Sequence, residues 1–339
     1  MRRLRQFLSR KLNWVALALV GIFLGLALAA PILSPPVDSE NPADFQIHEG
    51  WVELVPQPPS EEAPLGTVIY HRSSIGGVYL LHFDVFHSFV WGTRSVLRFG
   101  LITALSAAIL GTVIGAISGY IGGPFNAIVM RLTDAFLAFP VIAGVWLFRI
   151  IMEMANVTLY DYSNLDVMPV PQTAFQRVVL ALDIDPVMLT LIVFSWVAYA
   201  RLMSVSIVKL KQMEFAEAAK SLGMRSSRMI TRHLIPNAIG PIIVLVSRDL
   251  GGMVILQAAF AFIGVSGTVD STAIPEWSRM LILGRDWIIG PGGDPFTFWW
   301  TYLPVTVALI LFGIGWNLLG DGLNVFLSPW EATRRGRSR

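Results

Sequence analysis

No cysteine occurs among the 339 residues. Disulfides, thiolate zinc sites, cysteine-ligated iron–sulfur clusters and a lipid-modified cysteine are thereby excluded. Charge is scarce as well, with Asp, Glu, Lys and Arg making up 14% of the chain, against about 25% in soluble globular domains. Glycine is never followed by lysine, so the GxxxxGK[ST] cradle for nucleotide phosphates is missing. No nucleophile–base constellation is present either, so the chain reads as a non-enzyme with no cofactor of its own. The basic residues flank apolar runs and are not interleaved with aromatics as in a nucleic-acid surface, so nucleic acid is not implied.

Apolar residues are what the sequence has in excess: 54% are hydrophobic and the mean hydropathy is +0.62. A bilayer crossing needs roughly 20 mostly apolar residues. Six such runs are found, at about 14–33, 97–120, 127–151, 187–208, 235–264 and 301–325. They predict an all-α polytopic membrane protein with six transmembrane helices. The first run, with its basic start and "ALAA" before Pro31, looks like a signal peptide. Pro31 would open the cleaved chain, which disfavours cleavage, so an uncleaved anchor is expected.

Basic residues set the expected orientation. Arg2, Arg3, Arg5, Arg10 and Lys11 precede the first run, and Arg334, Arg335, Arg337 and Arg339 follow the last. Arg201, Lys209, Lys211, Lys220, Arg225, Arg228 and Arg232 gather around the loop between runs four and five. Asp38, Glu40, Asp44, Glu49, Glu53, Glu61 and Glu62 lie between runs one and two. Both termini are therefore expected in the cytoplasm of a multi-pass plasma-membrane protein. Four regions follow: a cytoplasmic N-terminus with the first span (1–33), an extracytoplasmic segment (34–94), a five-span core (95–325) and a basic cytoplasmic tail (326–339). In the second, a Pro-rich stretch is expected to be extended, and "YLLHFDVFHSFVWG" reads as an interfacial helix. Trp277, Trp287, Trp299 and Trp300 read as interfacial anchors.

Within the core, Gly111, Gly115 and Gly119 recur every fourth residue and bare one helix face for close approach, within this chain or against a partner. Pro140 and Pro304 mark a kink or an entry point. Arg131 and Asp134 have the spacing of a helical ion pair. His71, His82 and His87 cluster outside, but their spacing does not match a helical metal pair, and no metal is expected.

The polar loop 209–234 stands out between two apolar runs. Phe215, Ala218, Ala219 and Leu222 form one apolar stripe at helical spacing, with Glu214, Glu217 and Lys220 mostly off it. Gly223 is a natural C-cap, and Ser226 and Ser227 are candidate caps for a second helix running to His233. This predicts a helix–turn–helix bracket whose apolar stripe needs something to bury against. Arg248, Asp249 and Gln257 are polar residues inside the fifth run. A charge at mid-membrane costs about 2.5–3.5 kcal/mol, so such side chains face protein or water. As sequence neighbours, Arg248 and Asp249 project about 100° apart. They read as contacts to other helices, or as lining of a translocation pathway.

"EAAKSLG" at 217–223 followed by "RHLIPN" at 232–237 resembles the EAA loop of ABC-importer permeases. "GYIGGPFNAIVMRLTDAFLAFP" (119–140), "WVAYARLM" (196–203), "SRMLILGRD" (278–286) and "NLLGDGL" (317–323) resemble the C-type permeases of dipeptide and oligopeptide importers, as do "PLGT" (64–67) and "DVFHSFVWGTRSVLRFGL" (84–101). Departures occur at Ile235, at Phe83 before Asp84, in about fifteen extra residues after Thr67, at Arg248 and Asp249, and at Gln257 in place of a frequent Glu. These bear on substrate class.

The resemblance implies a type I importer permease fold in a bacterial or archaeal inner membrane. It implies a second homologous permease, two cytoplasmic ATPase subunits and an extracytoplasmic substrate-binding protein as partners. Glu214, Phe215, Glu217, Ala218, Ala219, Ser221, Leu222, Gly223 and Arg225 would then form a coupling helix seated on an ATPase, and the substrate would be a di- or oligopeptide. Related importers carry nickel complexes, oligosaccharides or peptide-like antibiotics. A secondary transporter driven by an ion gradient would show inverted repeats and more mid-span acids.

Overall fold

Each apolar run becomes a helix because a backbone in lipid must satisfy its own hydrogen bonds. The structure is a computed structural model describing residues 7–36, 46–48, 53–74, 77–155, 158–161, 166–169, 173–174, 177–178, 185–266, 275–289 and 293–327. Arg2, Arg3, Arg5, Asp38, Glu40, Asp44, Glu49 and the tail beyond Leu327 lie outside these residues. The helices are α1 (Lys11–Leu33), α2 (Val85–Ile121), α3 (Gly123–Ala138), α4 (Val141–Ala155), α5 (Pro186–Leu210), α6 (Glu214–Ser221), α7 (Ser226–Met229), α8 (Ile235–Phe262), α9 (Glu276–Gly284) and α10 (Leu303–Leu327). Strands β1 (Thr67–Ser74) and β2 (Gly77–Asp84) pair antiparallel, as do β3 (Thr158–Asp161) and β4 (Asp166–Pro169).

Among the described residues, five helices are long and apolar enough to cross a membrane, and α3 with α4 supplies a sixth crossing only as a pair bent by 83°. The bend falls at Pro140. Phe139 before it is extended, at φ −85° and ψ 129°, because proline's ring excludes the helical conformation from its predecessor. The run at 127–151 is thus two half-spans.

Packing is closest between α2 and α5. A Cβ on Gly111 or Gly115 would overlap the carbonyls of Trp196 and Ala200, and one on Gly119 would lie 2.7 Å from the Ser204 carbonyl. The glycine stripe therefore serves this chain's own helix pair. Asn126 and Ser204 share a 2.9 Å hydrogen bond, and Arg201 Nε donates to Thr133 Oγ1 at 2.9 Å, which lays α3 along α5. Asp134 pairs with Arg201 across these helices. The spacing-based pair with Arg131 is corrected accordingly: Arg201 reaches the carboxylate from a neighbouring helix.

At the far end from the bracket, the described residues between α1 and α2 form a cap. The interfacial helix expected across residues 79–92 is replaced by strand β2, after which α2 begins at Val85. Val68 and Phe83 face each other across the hairpin and are both buried, and Ile47 bridges Phe83 on its other side. These β-branched and aromatic residues pack better on a half-buried sheet than on a lone helix. Asp84 ends the strand and caps α2, its Oδ1 accepting from the His87 amide at 2.7 Å. His82 meets the Thr67 hydroxyl at 3.1 Å and the Glu53 carbonyl at 2.8 Å, and His87 meets Ser34 at 2.7 Å. Both imidazoles are spent on protein groups. The side chain of His71 lies outside the described residues.

Two of the tryptophans expected at the membrane interface are core residues. Trp277 is fully buried, its indole lying over Gly92 and donating to the Phe89 carbonyl at 2.9 Å. Trp300 is buried too and donates to the Thr67 carbonyl at 3.2 Å. A carbonyl for the indole N–H is what allows such a large side chain inside.

Candidate functional site

The bracket begins where α5 ends. Lys211 donates to the Tyr120 carbonyl at 3.1 Å, tying this turn to the last residues of α2. Met213 is extended at φ −82° and ψ 149°, and α6 starts after it. Glu214 and Glu217 lie in its first turn and Lys220 in its last, each with the sign that the helix dipole favours. The end is a Schellman motif: the Gly223 amide donates to the Lys220 carbonyl at 3.0 Å and the Met224 amide to the Ala219 carbonyl at 3.2 Å. Gly223 carries φ +76°, the left-handed conformation this cap requires.

The second arm differs from expectation. Arg225 occupies the N-cap position of α7, without a side-chain cap, and the Ser226 hydroxyl accepts from Tyr120 at 3.2 Å. Helix α7 passes through a π-helical turn, Ile230–Leu234, straight into α8, so the second arm is the first part of span five. Pro236 explains the widened turn: it lacks an N–H, and its ring would press on the carbonyl four residues back.

Burial within this chain claims little of the apolar stripe. Only Ala216 of α6 is buried, packing into the main core with half-buried Ala219 beside it. Phe215 is 39% exposed and Leu222 is 87% exposed. Glu214, Glu217, Ala218, Ser221, Gly223 and Arg225 are exposed as well. Phe215, Ala218 and Leu222 thus form an open apolar ridge rimmed by two acids and a cation. The buried contact rests on alanines, whose small side chains carry little weight in a hydrophobic pattern. Met229 and Leu234 fix the second arm, both buried in the same core.

The three polar residues of span five are not brought together. Arg248 lies against Gly320 of α10, with its Nε donating to Asn317 Oδ1 at 3.2 Å, and it is exposed. Asp249 turns to α5, where its Oδ2 accepts from the Tyr199 hydroxyl at 2.7 Å. Gln257 is fully buried, and its amide has no hydrogen-bond partner among the described residues. Gln257 follows Leu250 and Val254 at i+7 and i+3, and these two lie against Gly100 of α2. Helical register therefore turns it towards α2. Tyr199 and Asn317 were not singled out by sequence, although each sits inside a motif shared with permeases.

At the far end, Arg149 of α4 donates to the Gly264 carbonyl at 2.7 Å, and Arg285 to the Phe262 carbonyl at 3.1 Å. Two cations therefore meet the carbonyl end of α8, where the dipole favours positive charge. Arg149 links the second half of the broken span to the end of span five.

Comparison with known proteins agrees with this architecture. Over 96% of its length the chain is 28% identical to the dipeptide transport system permease protein DppC of Alkalihalophilus pseudofirmus, covering 88% of that protein. It is 28% identical to the glutathione transport system permease protein GsiD of Pectobacterium atrosepticum, with 96% of this chain and 90% of that protein aligned. The GsiD protein of Shigella dysenteriae is 30% identical over 75% of this chain and 71% of its own length. Residues 111–332, from the glycine stripe to beyond α10, match the family of binding-protein-dependent transport system inner membrane components, and the chain belongs to that family.

Proposed function

We propose that this chain is a permease subunit of an ATP-driven importer of di- or oligopeptides. It would form half of the translocation pathway, with a second homologous permease forming the other half. Two ATPase subunits on the bracket side and a substrate-binding protein on the far side complete the assembly, and both termini lie in the cytoplasm. The peptide class is supported by relatives named for dipeptide and glutathione transport. Hydrolysis is assigned to the partner subunits, since this sequence carries no phosphate-binding loop.

The observation that carries the reading is the open ridge Phe215–Ala218–Leu222 on a helix closed by a Schellman cap. A monomer gains nothing by fixing a short helix with its apolar side in water. A groove on another protein turns that cost into binding, as when an amphipathic helix seats in a groove. Of the three polar residues in span five, Arg248 alone is exposed and is assigned to the pathway. Asp249 and Gln257 act from within the helix packing.

The absence of native cysteine makes the test clean. Ala218→Cys or Ser221→Cys introduces a single thiol into this chain. In the assembled complex, a short bifunctional reagent is expected to join that thiol to a nucleotide-hydrolysing subunit. Crosslinks that never reach such a subunit, or solute uptake by the purified chain alone, would overturn the proposal.

A further inference from the structure

Helix α10 exposes one continuous face whose chemistry changes halfway along. Val307, Ile310 and Ile314 occupy the far half and are exposed. Asn317, Asp321 and Asn324 continue the same face at i, i+4 and i+7 towards the bracket and are exposed too. These three lie within the apolar stretch Leu303–Asn324 that is long enough to cross a membrane. Arg248 joins them from α8, passing over Gly320 to reach Asn317. Among the described residues, neither Arg248 nor Asp321 makes an ion pair within 4.0 Å.

Lipid is a poor neighbour for such a face, because an exposed charge at this depth costs a few kcal/mol. A full charge, an opposite charge and an amide between them instead ask for water and a ligand of complementary ends. We infer that Arg248, Asn317 and Asp321 form a binding site for a zwitterionic peptide, open towards the bracket side. This deepens, and rests on, the peptide-importer reading. The Arg248 guanidinium offers paired donors suited to a terminal carboxylate. Asp321 accepts from a terminal ammonium. Asn317, which both donates and accepts, suits the peptide group that joins them. Arg248 is already steered by its Nε bond to Asn317, which leaves its terminal nitrogens for the ligand. The apolar upper half of the face suits the peptide's side chains.

Reactivity of one introduced thiol tests this in the complete complex held in proteoliposomes. Asn324→Cys, one turn below the site on the same face, is treated from the bracket side with a membrane-impermeant maleimide, and labelling is scored on this chain, which has no other cysteine. The expected result is rapid labelling, slowed about tenfold by unmodified Ala-Phe. The same dipeptide acetylated at its N-terminus and amidated at its C-terminus is expected not to protect. Adding Arg248→Gln or Asp321→Asn should abolish protection by unmodified Ala-Phe, because each removes a charge-assisted hydrogen bond.

Should Asn324→Cys fail to assemble, Ile314→Cys on the same face serves in its place. Absence of labelling would mean that the face packs against a partner or lipid, and labelling without protection would mean a wet surface that binds no peptide. Protection that survives both charge removals would show that the charges do not read the peptide ends. Each of these three results overturns the site. Uptake of Ala-Phe by the complex carrying the unaltered chain is measured alongside. Uptake without protection sinks the site alone, whereas no uptake sinks the peptide reading and the site with it.

Discussion

The seam between α2 and α5 and the bracket that follows α5 use small residues to opposite ends. In the seam, Gly111, Gly115 and Gly119 meet Trp196, Ala200 and Ser204 with no room for a methyl group. In the bracket, Ala216 is the one buried residue of α6, while Phe215 and Leu222 stand out from it. The first arrangement joins two helices into one body, because backbones in contact cannot slide without overlap. The second leaves a surface for something else to complete. The difference makes α5 a lever: one end is gripped along its length by α2, and the other ends in a handle. Lys211 fastens the handle's root to the Tyr120 carbonyl. Tyr199 carries the grip across to α8 through Asp249. Under the proposed reading, a push on α6 would be passed to α2, α5 and α8 together.

Filling the seam is the hardest way to break this contrast. Gly115→Leu places a side chain where the Ala200 carbonyl already sits, and overpacking of this kind costs about 3 kcal/mol. The expected outcome is a large drop in the thermal unfolding midpoint of the purified protein in detergent. Gly252→Ala sharpens the comparison from within α8, since no atom lies within 4 Å of the added methyl. That change should be neutral or stabilising by up to about 1 kcal/mol, because alanine favours a helix over glycine. Equal losses at the two positions would show that the seam is not tight.

Tyr199→Phe comes next. It removes the donor to Asp249 and leaves a half-buried carboxylate short of a partner. A loss of about 1–3 kcal/mol is expected, read by the same melting experiment. Tyr199→Phe combined with Asp249→Asn should be less damaging than the sum of the two changes, since both act on one bond.

How much of this was legible in the sequence depended on how far apart the cooperating residues lie. Composition and run length were enough for the helical spans, since twenty apolar residues have few other options. Pro140 marked the break in the third span through its effect on Phe139, a nearest-neighbour matter. The bracket and its Gly223 cap were likewise local. What failed was long-range. Asp134 was paired with Arg131 by spacing, whereas Arg201 competes from another helix. Trp277 looked like an anchor because nothing in its own stretch reveals Gly92 beneath it or the Phe89 carbonyl beside it. Strand β2 was read as helix because its partner, β1, begins ten residues before it. Arg248 and Asp249 were flagged as polar inside a span, but which helix each grips depends on crossing positions that no local pattern encodes. The apolar stripe of α6, by contrast, was a local pattern: it was read as needing something to bury against, and this chain leaves Phe215, Ala218 and Leu222 open.

The bracket offers two small losses of stability. Gly223→Ala forces a side chain into φ +76°, though no atom crowds it. The cost is about 1 kcal/mol, confined to the α6 cap, so a small drop in melting should accompany a loosened handle. A lower ATPase rate on binding-protein addition, with intact assembly, is the functional signature to measure.

Leu222→Ser should cost less still. Leu222 is 87% exposed, and surface changes of this kind stay within about 0.5 kcal/mol. Melting of the isolated chain should therefore be unchanged while co-purification of the ATPase subunits is lost. The seam and the bracket are then separated by experiment as they are by structure, since one set of changes removes the fold and the other removes only the partner. A Leu222→Ser chain that melts early yet keeps its ATPase would reverse that order, making the ridge a contact within the permease itself, and the lever would have to be gripped somewhere else.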